Sequence, residues 1–354
     1  MTDGMNVLAQ RIFFFLLTTA VVMMYYYQAR YMTNAQTCQD MSCFKMKRHL
    51  PPCTRCPTGL RNCESLADLR NYFSQYIDLK KTIAIYKDQN KLDRRCCPQK
   101  LNFGTESETY MEMVKDFYTI EQQKSCAIVG NGGILTHSGC GSEIDQHDFV
   151  MRLNLAPVSG YEKDVGGKTN FTAVNNVIIH RFYENIQKRN QKMHRYVNQL
   201  KDLKDSILWF GYNKSAKVPA MGNANNKMQT ILRTTKMNPS KMKYQLAYSI
   251  VPVWPTIISR AWNTSQGTSE GYIVFTLATL FCDKIDLYGF WPFHIGPQGN
   301  PVSHHYYDQR SRYTKKKQTM PNENKVLLEL NRREIIRWVT SPCVTSKHNQ
   351  SLNS

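Results

Sequence analysis

A chain of 354 residues, 42% of them hydrophobic, is long enough for one large domain or two small ones and can bury a sizeable core. Lys and Arg outnumber Asp and Glu by 46 to 27, a formal net charge of +19 that suits an acidic substrate or a polyanionic partner. The basic residues are scattered and no nucleic-acid motif organises them, so a nucleic-acid partner is not expected.

The first informative segment, Ile12 to Tyr27, reads IFFFLLTTAVVMMYYY, carries no charge and is bracketed by Arg11 and Arg30. It is short for a spanning helix and long for the core of a cleaved signal peptide, and no small-x-small cleavage site follows it. We read residues 1–11 as a cytosolic tail, 12–29 as a transmembrane signal anchor and the remainder as lumenal, with a cleaved signal peptide as the alternative. Residues 30–95 are polar, Cys-rich and basic, the texture of a stem, with a helix around Leu66 to Leu79. Eleven cysteines in an oxidising lumen predict mostly disulfides, and the odd count leaves at least one for another role. Cys53-x-x-Cys56, flanked by Cys43 and Cys63, has zinc-like spacing, but only His49 stands near it and the compartment favours disulfides. Sequons at Asn170, Asn213, Asn263 and Asn349 agree with a glycosylated lumenal protein.

Residues 96–345 form the expected catalytic domain, followed by a tail at 346–354. Ser125 to Val129 is a short buried-strand pattern that runs into Gly130-Asn131-Gly132-Gly133. Phe149 to Leu155, Phe171 to Val174, Ile207 to Tyr212 and Lys284 to Phe290 read as further strands. Residues 180–205 are helical and charged, Gly271 to Phe281 is a buried helix, and Lys325 to Val339 is an amphipathic closing helix. Alternating strands and helices predict an α/β domain with a mostly parallel sheet flanked by helices. The Gly-Asn-Gly-Gly turn suits a nucleotide, because glycines let backbone approach a ligand and an Asn amide can donate. Thr136 occupies the last glycine position of G-x-G-x-x-G, so a dinucleotide fold is not indicated.

Four segments in order carry a resemblance. Cys126 to Pro157, CAIVGNGGILTHSGCGSEIDQHDFVMRLNLAP, resembles the large sialylmotif of the animal sialyltransferases, and Gly267 to Phe293 resembles their small sialylmotif. His305-Tyr306-Tyr307-Asp308 resembles the third motif, and Gln318 to Glu323 stands where the very small motif belongs. His304-His305 and the GFWPF segment are similar to the α-2,8 branch. The likeness implies a single Rossmann-like domain, a variant of the GT-A type, behind a transmembrane helix and stem in the Golgi membrane. It implies transfer of sialic acid from CMP-sialic acid to a sialylated glycolipid or glycoprotein, with inversion and without a metal or other cofactor, and it allows a homodimer. No Asp-x-Asp occurs in the chain. Residue by residue, it assigns the donor to Asn131, Asn154, Ser269, Glu270, Gly271, Trp291 and His304, and the leaving phosphate to His305. It also implies disulfides Cys126–Cys282 and Cys140–Cys343.

The chain departs from the family at two places. The family's base, a His, is replaced by Gln318, whose amide cannot take a proton near neutral pH; His304 and Glu323 are the candidate substitutes. Glu270 stands where the family has Thr, a carboxylate near an anionic donor, with Lys315 to Lys317 available to offset it. The alternatives are a non-catalytic relative that binds donor or glycans, and a lumenal lectin or adhesion ectodomain. Lys236, Lys241, Lys243 and Arg260 are too dispersed for a polysialylating tract, so one or a few sialic acids are expected per acceptor.

Overall fold

A computed structural model describes residues 63–86, 117–203, 205–210, 227, 228, 230–235, 245–248, 258, 262, 268–308 and 321–343. The apolar segment 12–29, Cys53 and Cys56, the sequons at Asn213, Asn263 and Asn349, Lys315 to Lys317 and Gln318 lie outside them. Among the described residues no helix is long and apolar enough to cross a membrane.

The runs CAIV, FVMRL, FTAV and IDLY are buried at every position, as strands covered on both faces must be. They form β3 (Cys126–Val129), β4 (Phe149–Leu153), β5 (Phe171–Val174) and β8 (Ile285–Tyr288). With β1 (Ala84–Tyr86), β2 (Phe117–Tyr118), β6 (Ile207–Phe210), β7 (Gln245–Tyr248) and β9 (Arg337–Val339) they make one sheet in the order β2-β1-β7-β6-β5-β4-β3-β8-β9. From β7 to β9 every pairing is parallel, and β1 and β2 are antiparallel additions at one edge. Strand order runs one way from β3 through β7 and the other way from β3 to β9, so the direction reverses between β3 and β8. In open α/β sheets such a reversal leaves a crevice beyond the carboxyl ends of the strands, where ligands bind.

The helices are α1 (Leu66–Ser74), α2 (Leu79–Thr82), α3 (Gly141–Asp145), α4 (Glu162–Val165), α5 (Asn176–Gln187), α6 (Lys192–Lys201), α7 (Glu270–Ala278) and α8 (Pro321–Arg332). All nine residues of α7 are buried, in keeping with its largely apolar sequence. On α5 and α6 Ile179, Phe182, Ile186 and Leu200 pack with Val174, Leu208 and Leu246 from the sheet.

Several elements differ from the sequence reading. Residues 63–86, assigned to the stem, are built into the fold. Arg70 donates to the carbonyls of Thr279 and Cys282, Phe73 packs on Trp262 at 4.7 Å, the Trp209 indole donates to Thr82, and β1 pairs with β7. The segment at 180–205 is two helices, separated by a turn in which Arg189 takes φ +47°. The closing helix stops at Arg332. Glu334 turns the chain at φ +60°, and the β-branched and aromatic run that follows enters the sheet as β9, with Trp338 N donating to Asn331 Oδ1.

A polar cluster fastens this last strand. Arg337 bonds Glu143 at 2.6 Å and Asp286 at 3.0 Å, His147 reaches Asp286 at 3.2 Å, and the Tyr288 hydroxyl donates to Glu143. Burial pushes the Asp286 carboxyl up, but His147, Lys284 and Arg337 outweigh it and hold the group below the usual carboxylate range. Cys126 is bonded to Cys282 and Cys140 to Cys343, across separations of 156 and 203 residues. The first ties β3 to the end of α7, and the second ties the C-terminal segment to the start of α3. Replacing Cys140 and Cys343 together by Ser should destabilise the fold by at most about 5 kcal/mol on loop-closure grounds. Melting of the full-length chain measures this, and an unchanged transition would mean that the C-terminal segment is held by other contacts.

Candidate functional site

Four loops meet at the carboxyl ends of β3, β4 and β8. Gly130 N donates to Tyr288 O at 2.7 Å and Gly132 N to Gly289 O at 3.0 Å, so the loop after β3 is zipped to the loop after β8. A Cβ at Gly130, Gly132 or Gly133 would fall 2.7, 2.5 and 2.2 Å from the carbonyls of Gly289, Gly289 and Ser303. These glycines therefore serve close packing of loop on loop rather than an open cradle for a ligand. Gly289 itself sits at φ +70°, with Leu135 and the Gly130 carbonyl against the Cβ position.

The third motif docks on this seam. Gly132 and His305 form an antiparallel bridge, and Tyr306 N donates to Asn131 O at 3.1 Å. Tyr306 is buried, and its hydroxyl donates to Pro157 O at 2.6 Å, fixing the loop that follows β4. The His305 ring stacks on Tyr307 at 5.0 Å and lies 3.8 Å from His304, while the Arg195 guanidinium covers the Tyr307 ring at 4.9 Å. His305 is half-buried, and neither of its ring nitrogens has a hydrogen bond among the described residues. Burial, with His304 adding, pushes its pKa down to about 4; burial also lowers His304. At pH 7 His305 is therefore neutral in the unliganded chain.

Asn131 and Asn154 stand together: Asn131 Nδ2 reaches Leu153 O at 3.4 Å, and Asn154 follows in the left-handed region at φ +58°. Asn154 Oδ1 accepts from Asn175 N, which leaves its Nδ2 without a partner among the described residues. Ser269 caps α7, accepting from Tyr272 N, and its own N–H donates to Glu323 Oε1 at 2.6 Å. Glu323, buried in the first turn of α8, thus joins the very small motif to the small one. Gly271 has the Phe290 ring 2.8 Å and Leu153 3.4 Å from its Cβ position, which seats the N-terminus of α7 on the same seam.

Glu270, buried in that first turn, is placed where the helix dipole favours negative charge. With Glu323 also at this helix end, two buried carboxyl groups stand at the N-terminus of α7. Trp291 is only 5% exposed; its indole donates to Ile295 O and packs on Phe293 and Trp338, so it shapes the loop after β8 from within. Asn170, read as a glycan acceptor, has its Oδ1 bonded to Val150 N, and the sequon's Thr172 is buried in β5. That bond joins β4 to the residue before β5. The Ser269–Glu323 link gave no separate sequence signal; the spacing of Glu323 in the very small motif was its only trace.

Two outcomes follow. In the unliganded chain the His305 imidazole should titrate near 4 by NMR and move upward when a phosphate-bearing ligand binds. Because the folded pKa lies below the ordinary 6.5, His305 contributes stability that is lost as pH falls from about 6.5 towards 4. Glu323→Ala should weaken nucleotide binding by roughly tenfold, the scale of one hydrogen bond to a charged group, while Glu323→Gln keeps most of it; calorimetry with CMP separates the two.

The family model described as glycosyltransferase family 29 (sialyltransferase) matches residues 81–335. Alpha-2,8-sialyltransferase 8E of Rattus norvegicus is 36% identical over 235 residues, which is 64% of this chain and 58% of that relative's length. A crystal structure of a mammalian sialyltransferase matches 83% of this chain and 100% of its own at 21% identity and a TM-score of 0.44. A second, of a mammalian sialyltransferase in complex with Gal-β-1-3GalNAc-ortho-nitrophenol, covers 82% and 99% at 22% identity and a TM-score of 0.46.

Proposed function

The chain belongs to glycosyltransferase family 29, the sialyltransferases, and on that premise we propose that it moves sialic acid from CMP-sialic acid to a sialylated glycan in α-2,8 linkage. The observation that carries this reading is His305. It is a half-buried imidazole whose ring nitrogens carry no bond among the described residues, set on the glycine loop beside Asn131 and at the switch point of the sheet. The 36% identity to an α-2,8-sialyltransferase supports the linkage.

The charge distribution orients the donor. The phosphate lies toward His305, the one end of the crevice without a buried carboxylate, and gains a proton or hydrogen bond there as CMP departs. The ribose and cytosine lie toward Ser269, Glu270 and Glu323, where hydroxyl and amino groups find acceptors. Asn131 and Asn154 present amides between the two ends. The acceptor hydroxyl attacks the anomeric carbon from the face opposite CMP; the new C–O bond forms as the bond to phosphate breaks, giving inversion. Its proton goes to a base. Of the two candidate substitutes for the family histidine that Gln318 replaces, Glu323 is engaged with Ser269 N, so we assign the proton to His304, relayed through a water because His304 stands on the His305 side. No metal or other cofactor takes part in this scheme. An N-terminal signal anchor at 12–29 would hold the domain in the Golgi lumen.

The test is transfer from labelled CMP-sialic acid to sialylated acceptors by the full-length chain in detergent, with and without EDTA. EDTA-insensitive transfer is expected, falling by 10²–10⁴-fold in His304→Gln, the usual loss for a general base. Absence of transfer in a folded chain that binds CMP would make it a donor-binding relative without catalysis. Transfer restored by Gln318→His would then locate the cause.

A further inference from the structure

A cavity of about 440 Å³ lies apart from the His305 crevice, on the helical side of the sheet between β4, β5 and α6. That volume is within the range of small-molecule sites. Three buried side chains form its floor: Arg152 on β4 is 4% exposed, Thr172 on β5 is 1% and Gln199 on α6 is 6%. Arg152 and Thr172 are direct register partners. Each of the three carries polar atoms with no hydrogen-bond partner among the described residues: Arg152 Nη1, Thr172 Oγ1, and both Gln199 Oε1 and Nε2. Three exposed carboxylates, Glu162, Asp202 and Asp205, stand at the mouth.

The floor is short of an anion. The Arg152 guanidinium donates to the carbonyls of Val165, Gly166 and Lys168 and to Thr169 Oγ1, and no carboxylate among the described residues bonds it. Burial lowers its pKa only to about 10, so it stays charged at pH 7. A buried cation that no carboxylate bonds among the described residues, with Asp145 acting on it only at longer range, beside an amide whose oxygen and nitrogen are both idle, is costly unless something fills the space.

We propose that this cavity is a binding site for an acidic sugar, separate from the donor crevice. The sugar's carboxylate lies on Arg152, Thr172 and Gln199, which meet it through small rotations of the Thr and Gln side chains. Its hydroxyls donate to Glu162, Asp202 and Asp205 at the mouth. A simple inorganic anion would satisfy the floor but be repelled by the mouth, and a neutral sugar would satisfy the mouth but leave Arg152 unmatched; only a ligand with both characters answers both. The cavity shares a wall with the donor crevice, because Leu155, Ala156, Val158 and Ser159 line it while the adjoining Pro157 carbonyl holds Tyr306.

The experiment is calorimetry on the full-length chain in detergent with free N-acetylneuraminic acid, its methyl ester and sulfate as three probes. Each is titrated with and without saturating CMP. Saturable binding of the free acid that persists with CMP, and that is at least about tenfold weaker for the ester and for sulfate, is expected. Gln199→Glu, which sets a carboxylate in the cavity with little change of shape, should abolish it while leaving CMP affinity unchanged. Gln199→Leu should weaken it about tenfold, the worth of one or two hydrogen bonds. Loss of binding in the presence of CMP would place the sugar in the donor crevice and overturn the proposal. So would equal affinity for ester and acid, binding indifferent to both Gln199 variants, or no saturable binding in a chain that still takes CMP, which would make the cavity a hydrated void.

Discussion

The seam between β3 and β8 is the constraint on which the site depends. Two parallel strands from distant parts of the chain lie side by side, and the loops that leave them are hydrogen-bonded to each other through Gly130, Gly132 and Gly289. The absence of a Cβ at these positions lets the two turns close on one another. Everything that bears on chemistry then rests on that closed seam: the His305 loop bridges to Gly132, α7 begins over Phe290, and Glu323 takes hold of Ser269 from α8. Any side chain forced into the seam would spread all four segments at once, so the site is a property of the packing of loops rather than of one loop.

Electrostatics divides the crevice into two ends of different character. Carboxylates gather at the start of α7, where the helix dipole tolerates them, and imidazoles gather at the other side, where burial disfavours their charged form. The Arg195 guanidinium, over the Tyr307 ring, is a cation beside these imidazoles. On the proposed reading, an anionic ligand would raise the affinity of His305 for a proton, so protonation would accompany binding instead of preceding it.

Much of this was legible in the sequence, and the parts that were not have physical reasons. Strands such as CAIV and FTAV announce themselves because burial on both faces demands largely apolar runs, and the family resemblance implied both disulfides. The N-terminal limit was not legible. Residues 63–86 are polar in texture because α1 shows the core only Leu66, Leu69 and Phe73, and its anchoring comes from Arg70 reaching carbonyls more than two hundred residues away. The last strand was misread because KVLLELNRREIIRWV holds a helical period on paper, and only the left-handed turn at Glu334 breaks it. The glycine loop was located correctly, but its glycines face protein, a distinction that composition does not contain.

The two long disulfide loops also set a timetable. Cys126 and Cys140 leave the ribosome 156 and 203 residues ahead of Cys282 and Cys343. At roughly 5–20 residues per second the longer interval lasts about ten to forty seconds. Through the shorter interval β3 has β4 on one side and a bare edge on the other, since β8 (Ile285–Tyr288) follows Cys282. This interior strand is therefore made early and covered late. Its two early thiols must be kept from wrong partners until the far end of the chain arrives. A protein assembled in this order depends on the folding helpers and thiol–disulfide exchange of its compartment for its yield, whatever the final stability of the sheet.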